Sequence, residues 1–232
     1  MPLPARPARP LLWCPGLRDS HVVPTSDATP WGVVVPVKRL SQAKTRLAAY
    51  GDVLRQELAL AFAADVVAAA LRCEAVQRVL VVSDDPLAAQ VLHALGATVV
   101  ADAPDAGLNP ALQHGADLLR AERADCGIAT VSADLPSLRP QDLAVVLRRV
   151  RAGRAFVADA DGRGTTLLAA GPGADLAPAY GSGSRQRHLA SGAVELPGAP
   201  ALRRDVDTPE DLRRAAALGL GPRTAQVVAR LP

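Results

Sequence analysis

The chain has 232 residues, 49% hydrophobic but only 3% aromatic, so one large domain can bury a substantial core, and that core must be aliphatic, as in sheets covered by helices on both faces. A net charge of +3, with few rings available for base stacking, argues against nucleic acid as a partner. No apolar run is long enough to cross a bilayer, the cysteines (Cys14, Cys73, Cys126) and histidines (His21, His93, His114, His188) fall in no metal-ligand spacing, and the expected location is the cytoplasm.

Residues 1–30 are rich in proline and arginine and show no periodicity. They lack the apolar core of a secretory signal and read as a disordered extension, or as a start codon placed too far upstream. From Trp31 onward strand and helix patterns alternate. Residues 32–37 form a short apolar strand; a basic loop follows, then an amphipathic helix over 51–72. Residues 78–83 are a buried strand closed by Asp84-Asp85-Pro86, and Pro86 opens a helix that runs to Leu95. Gly96 stops that helix ahead of a strand at 97–101. A helix at 109–122, a strand at 127–132 and a helix at 140–151 come next, then strands at 155–158 and 165–170 and helices at 209–218 and 223–230. This alternation predicts an α/β fold: a mostly parallel central sheet with right-handed crossovers, flanked by helices. Ligands of such sheets bind beyond the carboxyl ends of the strands, here segments 36–47, 83–86, 102–110, 132–138 and 159–165.

Those segments carry the chemistry. Lys38 and Lys44 are the only lysines; the other 24 of the 26 basic residues are arginine. Two compact ammonium groups kept beside Arg39 and Arg46, directly after a buried strand, suit a polyphosphate, although a solvated basic turn has the same composition. Asp134, in Ser132-Ala-Asp134-Leu-Pro136, ends an apolar strand and can either ligate Mg²⁺ or cap a turn. In Arg203-Arg-Asp205-Val-Asp207-Thr208-Pro209-Glu210, Asp207 or Thr208 can cap the helix that begins at Pro209, which leaves Asp205 free. Asp134 and Asp205 together make a sparse carboxylate pair for phosphate-bound Mg²⁺. Ser83 and Asp84 follow the second strand, and Asn109 follows the third. Gly162-Arg-Gly-Thr165-Thr166 admits close backbone approach to an anion, and Gly181-Ser-Gly-Ser184 enters a basic helix with Ser184 as N-cap, a fitting end for a phosphate or carboxylate. Each is also compatible with an ordinary flexible loop. P-loop, dinucleotide-binding and nucleophile-elbow motifs are absent, so phosphates must be held by side-chain cations and loop amides.

Taken in order, Val35-Pro-Val-Lys38-Arg-Leu-Ser-Gln-Ala-Lys44-Thr-Arg46-Leu, Ser132-Ala-Asp134-Leu-Pro, Gly162-Arg-Gly-Thr165-Thr, Gly181-Ser-Gly-Ser184 with the later Arg187-His188, and Asp205-Val-Asp207-Thr-Pro-Glu-Asp-Leu resemble the phosphoenolpyruvate and 2-phospho-L-lactate guanylyltransferases of coenzyme F-420 biosynthesis. The resemblance covers about residues 31–230. It implies the Rossmann-like nucleotide-diphospho-sugar transferase fold shared with molybdenum-cofactor guanylyltransferases, as one domain over 31–232, with 31–138 mainly for GTP and 139–232 mainly for the acceptor. It implies that Lys38, Lys44 and Arg46 face the GTP phosphates and that Asp134 and Asp205 hold Mg²⁺ with the acceptor. Thr165, Gly181 and Ser184 would take the acceptor's phosphate and carboxylate, while Asn109 and the Ser83-Asp84 turn would lie near the nucleoside. The implied catalytic set is Lys38, Lys44, Arg46 and Asp134, and the product would pass to a downstream transferase. The Arg-rich, Lys-poor composition suggests a high-GC genome, as in actinobacteria, which through the resemblance favours phosphoenolpyruvate over 2-phospho-L-lactate as acceptor. The rivals are a nucleotidyltransferase of the same fold with another phosphorylated acceptor, against which the glycine-free basic loop argues, and a non-catalytic GTP sensor, which would not need Asp205.

Overall fold

A computed structural model describes residues 29–103, 105–150 and 152–231. The proposed N-terminal extension, with Cys14 and His21, lies outside the described residues apart from its last two positions. A seven-stranded sheet runs in the order β3-β2-β1-β4-β6-β5-β7. Strands β1 (Trp31–Pro36), β2 (Val76–Val82), β3 (Thr98–Val100) and β4 (Gly127–Val131) are mutually parallel. Strand β6 (Thr165–Ala170) runs antiparallel both to β4 and to β5 (Arg154–Ala158), and the short β7 (Val194–Glu195) pairs parallel with β5. The reversal at β6 follows from chain length. The turn between β5 and β6 is far shorter than the dozen or so residues that a parallel crossover needs. Because β6 runs backwards, its first residue, Thr165, sits at the same sheet edge as the ends of β1 and β4.

Helices α1 (Asp52–Leu71), α2 (Pro86–Ala94), α3 (Leu108–Glu122) and α4 (Pro140–Leu147) supply the crossovers. Alternation along the strands divides the core in two. Val33, Val35, Val79 and Val81 pack with Val66, Val67, Ala70, Leu143 and Leu147 on one face. Val34, Leu80, Val82 and Ile128 pack with Leu112, Ala116 and Leu119 on the other. Helix α3 lies very close to the sheet: a Cβ on Gly115 would stand 2.8 Å from Val34 Cγ1, so only glycine fits there. Helix α5 (Ser184–Ala190) and the single turn α6 (Pro200–Arg203) precede α7 (Pro209–Leu218) and α8 (Pro222–Val228). Leu212, Ala215 and Val227 of the last two helices cover Leu58 and Phe62 of α1 in a third apolar cluster. Strand β7 and helix α6 are too short to leave a periodic signal in the sequence. The helix expected over 140–151 ends its regular turns at Leu147. Among the described residues no helix is long and apolar enough to cross a membrane.

Candidate active site

Strand order reverses between β1 and β4, because β2 and β3 lie on one side of β1 and β4 on the other. Such a switch point opens a crevice beyond the strand ends. The register pairs Val34 with Thr130, so the loops that leave β1 and β4, carrying Lys44 and Asp134, emerge side by side.

The basic loop is built by groups that its own sequence does not advertise. It coils through two short 3₁₀ turns, Leu40–Gln42 and Thr45–Tyr50, with Lys44 between them in the left-handed region (φ 54°). A lysine is held there only where its surroundings over-determine it. Arg55, buried on α1, donates to the carbonyls of Leu40 (3.3 Å), Ser41 (3.1 Å) and Ala43 and is paired with Asp52 at 3.1 Å. The Leu40 amide donates to Asp85 Oδ2 at 2.9 Å, while Asp85 Oδ1 caps α2 through the Leu87 and Ala88 amides. Arg55→Met, which keeps the stem but leaves these carbonyls unpaired, is expected to lower stability by about 2–4 kcal/mol and activity more than tenfold. Urea unfolding and a pyrophosphate-release assay read the two effects.

Lys44 Nζ donates to Asp134 Oδ2 at 2.5 Å and to Asp207 Oδ1 at 2.7 Å. Burial alone would lower its pKa, but the charges of Asp134 and Asp207 outweigh that and raise it, so the ammonium stays charged. Burial pushes Asp207 up, but the Lys44 charge and hydrogen bond, with Arg46 and Lys38, bring it below the usual carboxylate range. Arg46 Nη1 stands 3.6 Å from Asp207 Oδ2. A Val206 amide bond to the Asp134 carbonyl (3.0 Å) sets Asp205 and Asp207 astride Asp134. Asp205 is pushed up to about 7, first by burial, then by the charges of Asp134 and Asp159. The second oxygen of Asp134, Oδ1, is buried with no hydrogen-bond partner. An orphaned buried carboxylate oxygen beside a neighbour whose ionisation is opposed by burial and then by negative charge is the donor set a cation fits. Among the described residues no three carboxylate, imidazole or thiol groups converge to hold a metal by themselves. A cation here would therefore complete its shell from water and phosphate, as Mg²⁺ does.

Lys38, Lys44, Arg46, Ser132, Asp134 and Asp207 line a cavity of about 420 Å³. A second cleft of about 310 Å³ shares Pro36, Val37, Lys38 and Gln42 with it and is walled by Ser83, Asp84, Asp102 and Gly107. Ser83 Oγ accepts from the Asp85 amide at 3.2 Å, and Asp84 Oδ1 from the Asp102 amide at 3.0 Å, which orders this wall.

On the other side, the Ser132 amide bonds the Thr166 carbonyl at 2.9 Å and brings Thr165 close to Asp134. Asp159 accepts from the Arg163 (2.8 Å) and Gly164 (2.7 Å) amides and so forms the turn that leads into Thr165. An Arg185 amide bond to the Arg163 carbonyl (3.2 Å) draws the start of α5, with Ser184, to the same turn. Gly181 has φ +123°, a conformation that favours glycine.

Two expectations change, and one open alternative is resolved. Ser184 is not an N-cap: it is the buried first residue of α5, and Gly183 in the left-handed region precedes it. The cap of α7 is Thr208, in a capping box with Asp211, which frees Asp207 for Lys44. Asn109 does not offer its amide to the nucleoside cleft, because Oδ1 accepts from the Tyr180 amide (2.7 Å) and Nδ2 donates to the Tyr180 carbonyl (3.1 Å). It clasps α3 to the loop before α5. Asp207 carried one usable sequence signal: residues i and i+2 of an extended segment face the same way, so Asp205 implies Asp207. Arg55 and Asp159 carried none, and Asp85, marked as a helix cap by its place before Pro86, gave no sign of its hold on Leu40.

Residues 31–226 match the family described as "Guanylyl transferase CofC like". Curated relatives named phosphoenolpyruvate guanylyltransferase include those of Thermomonospora curvata, 60% identical over 87% of this chain and 90% of the relative, and Streptomyces avermitilis, 58% identical over 87% and 95%. Among solved structures, a protein assigned to the nucleotide-diphospho-sugar transferases from Desulfovibrio desulfuricans aligns with a TM-score of 0.61 and 15% identity over 87% of this chain and 94% of its own. A nucleotidyl transferase from Methanothermobacter thermautotrophicus aligns at 0.58 and 19% over 82% and 97%. At these identities the structural likeness establishes the nucleotidyltransferase-like fold.

Proposed function

The chain belongs to the CofC-like guanylyl transferases and is a nucleotidyltransferase, and from that premise we propose that it joins GTP to phosphoenolpyruvate, releasing pyrophosphate. The product, enolpyruvoyl-2-diphospho-5′-guanosine, would pass to a downstream transferase in coenzyme F-420 biosynthesis. The single observation that carries this is the switch-point cluster, with Lys44 between Asp134 and Asp207 and Asp205 beside them. The choice of phosphoenolpyruvate over 2-phospho-L-lactate is supported by the names of the relatives.

An acceptor phosphate is already an anion at neutral pH, so it needs no general base and the protein needs no nucleophile. The acceptor oxygen forms a bond to the α-phosphorus of GTP as the bond to the bridging oxygen of the β-phosphate breaks. Catalysis then consists of positioning and charge neutralisation. Asp134 and Asp205 are the residues that would hold Mg²⁺, which when bound supplies positive charge between two substrates that otherwise repel each other. Lys38, Lys44 and Arg46 face the cavity and neutralise the departing pyrophosphate. Thr165, Gly181 and Ser184 hold the acceptor, and the Ser83-Asp84 wall takes the nucleoside.

The test is pyrophosphate release with GTP, Mg²⁺ and each acceptor in turn. Release with phosphoenolpyruvate is the expected result. A preference for 2-phospho-L-lactate overturns the acceptor assignment. GTP binding without release in the presence of either acceptor overturns the reaction.

A further inference from the structure

His188 lies on α5 beneath the acceptor loop, fully buried and packed against Phe156 and Tyr180, with ring centroids 5.6 and 5.3 Å away. Both of its ring nitrogens are engaged. Nε2 faces the Ala179 backbone amide at 3.1 Å, and Nδ1 faces the Thr165 hydroxyl at 2.9 Å. A backbone amide can only donate, so Nε2 is the bare, accepting nitrogen. The proton of the neutral ring is therefore on Nδ1, where it donates to Thr165 Oγ1. The neutral form is favoured: burial, followed by the charges of Arg154 and Arg187, brings the imidazole down to about 4. With its oxygen already accepting from His188, Thr165 must turn its own O–H elsewhere, and among the described residues the hydroxyl has no other hydrogen-bond partner. Thr165 begins β6 at the ligand-bearing edge of the sheet, beside the loop of Asp134.

We propose that His188 is a positioning residue that locks the Thr165 hydroxyl as an outward hydrogen-bond donor to an anionic oxygen of the acceptor. This role rests on the placement of the acceptor at Thr165 proposed above. Through Ala179 the same ring also fixes the backbone ahead of Gly181, so one side chain sets both walls of the acceptor subsite. An unlocked threonine rotor could present either its proton or its lone pairs. Held in one sense, it favours a phosphate or carboxylate oxygen and disfavours a ligand group that donates.

Two side chains separate this from a packing role. Asn can place its amide where Nδ1 stands and keep the donor to Thr165, whereas Gln reaches the Nε2 position and keeps only the Ala179 bond. His188→Gln is expected to raise the KM for phosphoenolpyruvate about tenfold with the KM for GTP unchanged, and His188→Asn to recover most of that loss. Thr165→Val should raise the acceptor KM by at least as much, and His188→Gln should add nothing further in the Thr165→Val background. Equal defects in His188→Asn and His188→Gln, or effects that multiply in the double variant, overturn the role of His188 alone. A normal acceptor KM in Thr165→Val overturns the placement of the acceptor, and the positioning role with it. Should the His188 variants fail to fold, ¹⁵N chemical shifts of the imidazole in the unaltered protein decide: a protonated Nδ1 with bare Nε2 supports the lock, and the opposite tautomer overturns it.

Discussion

Asp134→Ala is expected to lower guanylyl transfer by about three orders of magnitude or more while the protein stays folded. Its Oδ2 holds Lys44 and its Oδ1 is buried without a partner, and in the proposed reaction this carboxylate would hold the cation between two polyanions. Loss of the carboxylate still leaves Lys44 paired with Asp207. The contact that ties Asp134 to the 205–207 segment is made by its backbone carbonyl, which alanine retains. Removing the charge also relieves a neighbour, since Asp134 is one of the groups that push Asp205 up. Asp134→Asn sharpens the test, because it keeps the shape and an acceptor for Lys44 while losing the charge. Pyrophosphate release below about a thousandth of normal in both variants, with unchanged melting, is the expected pair of results. An Asn variant that kept more than about a tenth of the activity would show that the charge is dispensable and would remove Asp134 from the proposed metal site.

The division between what the sequence discloses and what it hides follows the range of the interactions. The parallel strands and their crossover helices are written locally, in apolar runs bounded by Pro86, Gly96 and Pro140, and they appear within a few residues of where they were expected. Local pattern also led to Asp134 and Asp205, read as residues that follow extended segments, although Asp134 sits in the turn beyond β4 and Asp205 comes just after the single turn α6. Ser184 misled for a local reason: serine is a common N-cap, but here a left-handed Gly183 starts the helix and leaves the serine inside. What stayed hidden depends on partners distant in sequence. Asn109 looks free until Tyr180 arrives from 71 residues away. Arg55 looks like an ordinary helix-surface arginine until the loop folds over it. Asp65 is an acidic residue yet lies buried, because it accepts from the Arg223 (3.2 Å) and Thr224 (2.8 Å) amides and so holds the start of α8. Nothing in the neighbourhood of these residues in the chain marks them.

Asp205→Asn is expected to shift stability and activity in opposite directions. In the folded protein without divalent cation the Asp205 carboxyl is pushed up to about 7, from the 3.8 of an ordinary aspartate. Between those two values the folded state holds a proton that the unfolded chain has released, so this group's contribution is intact below about pH 4 and is lost as pH rises through about 7. Above pH 7 the ionised carboxylate opposes folding by about 2–4 kcal/mol, the upper figure corresponding to the whole shift. Asparagine never ionises, so in chelator at pH 8 the variant should melt several degrees higher than the unaltered protein, and the gap should narrow as pH falls below 7 and close at about pH 4. Mg²⁺ should then separate them again. It stabilises the unaltered protein by binding the folded state, whereas the variant, with one carboxylate fewer, should respond weakly. Guanylyl transfer by the variant should fall at least about a hundredfold. Greater stability together with lost activity is what a group kept under strain for its chemistry produces. A variant that melted lower in chelator at pH 8, or that gained as much from Mg²⁺ as the unaltered protein, would make Asp205 a structural residue and leave Asp134 and Asp207 as the carboxylates to test next.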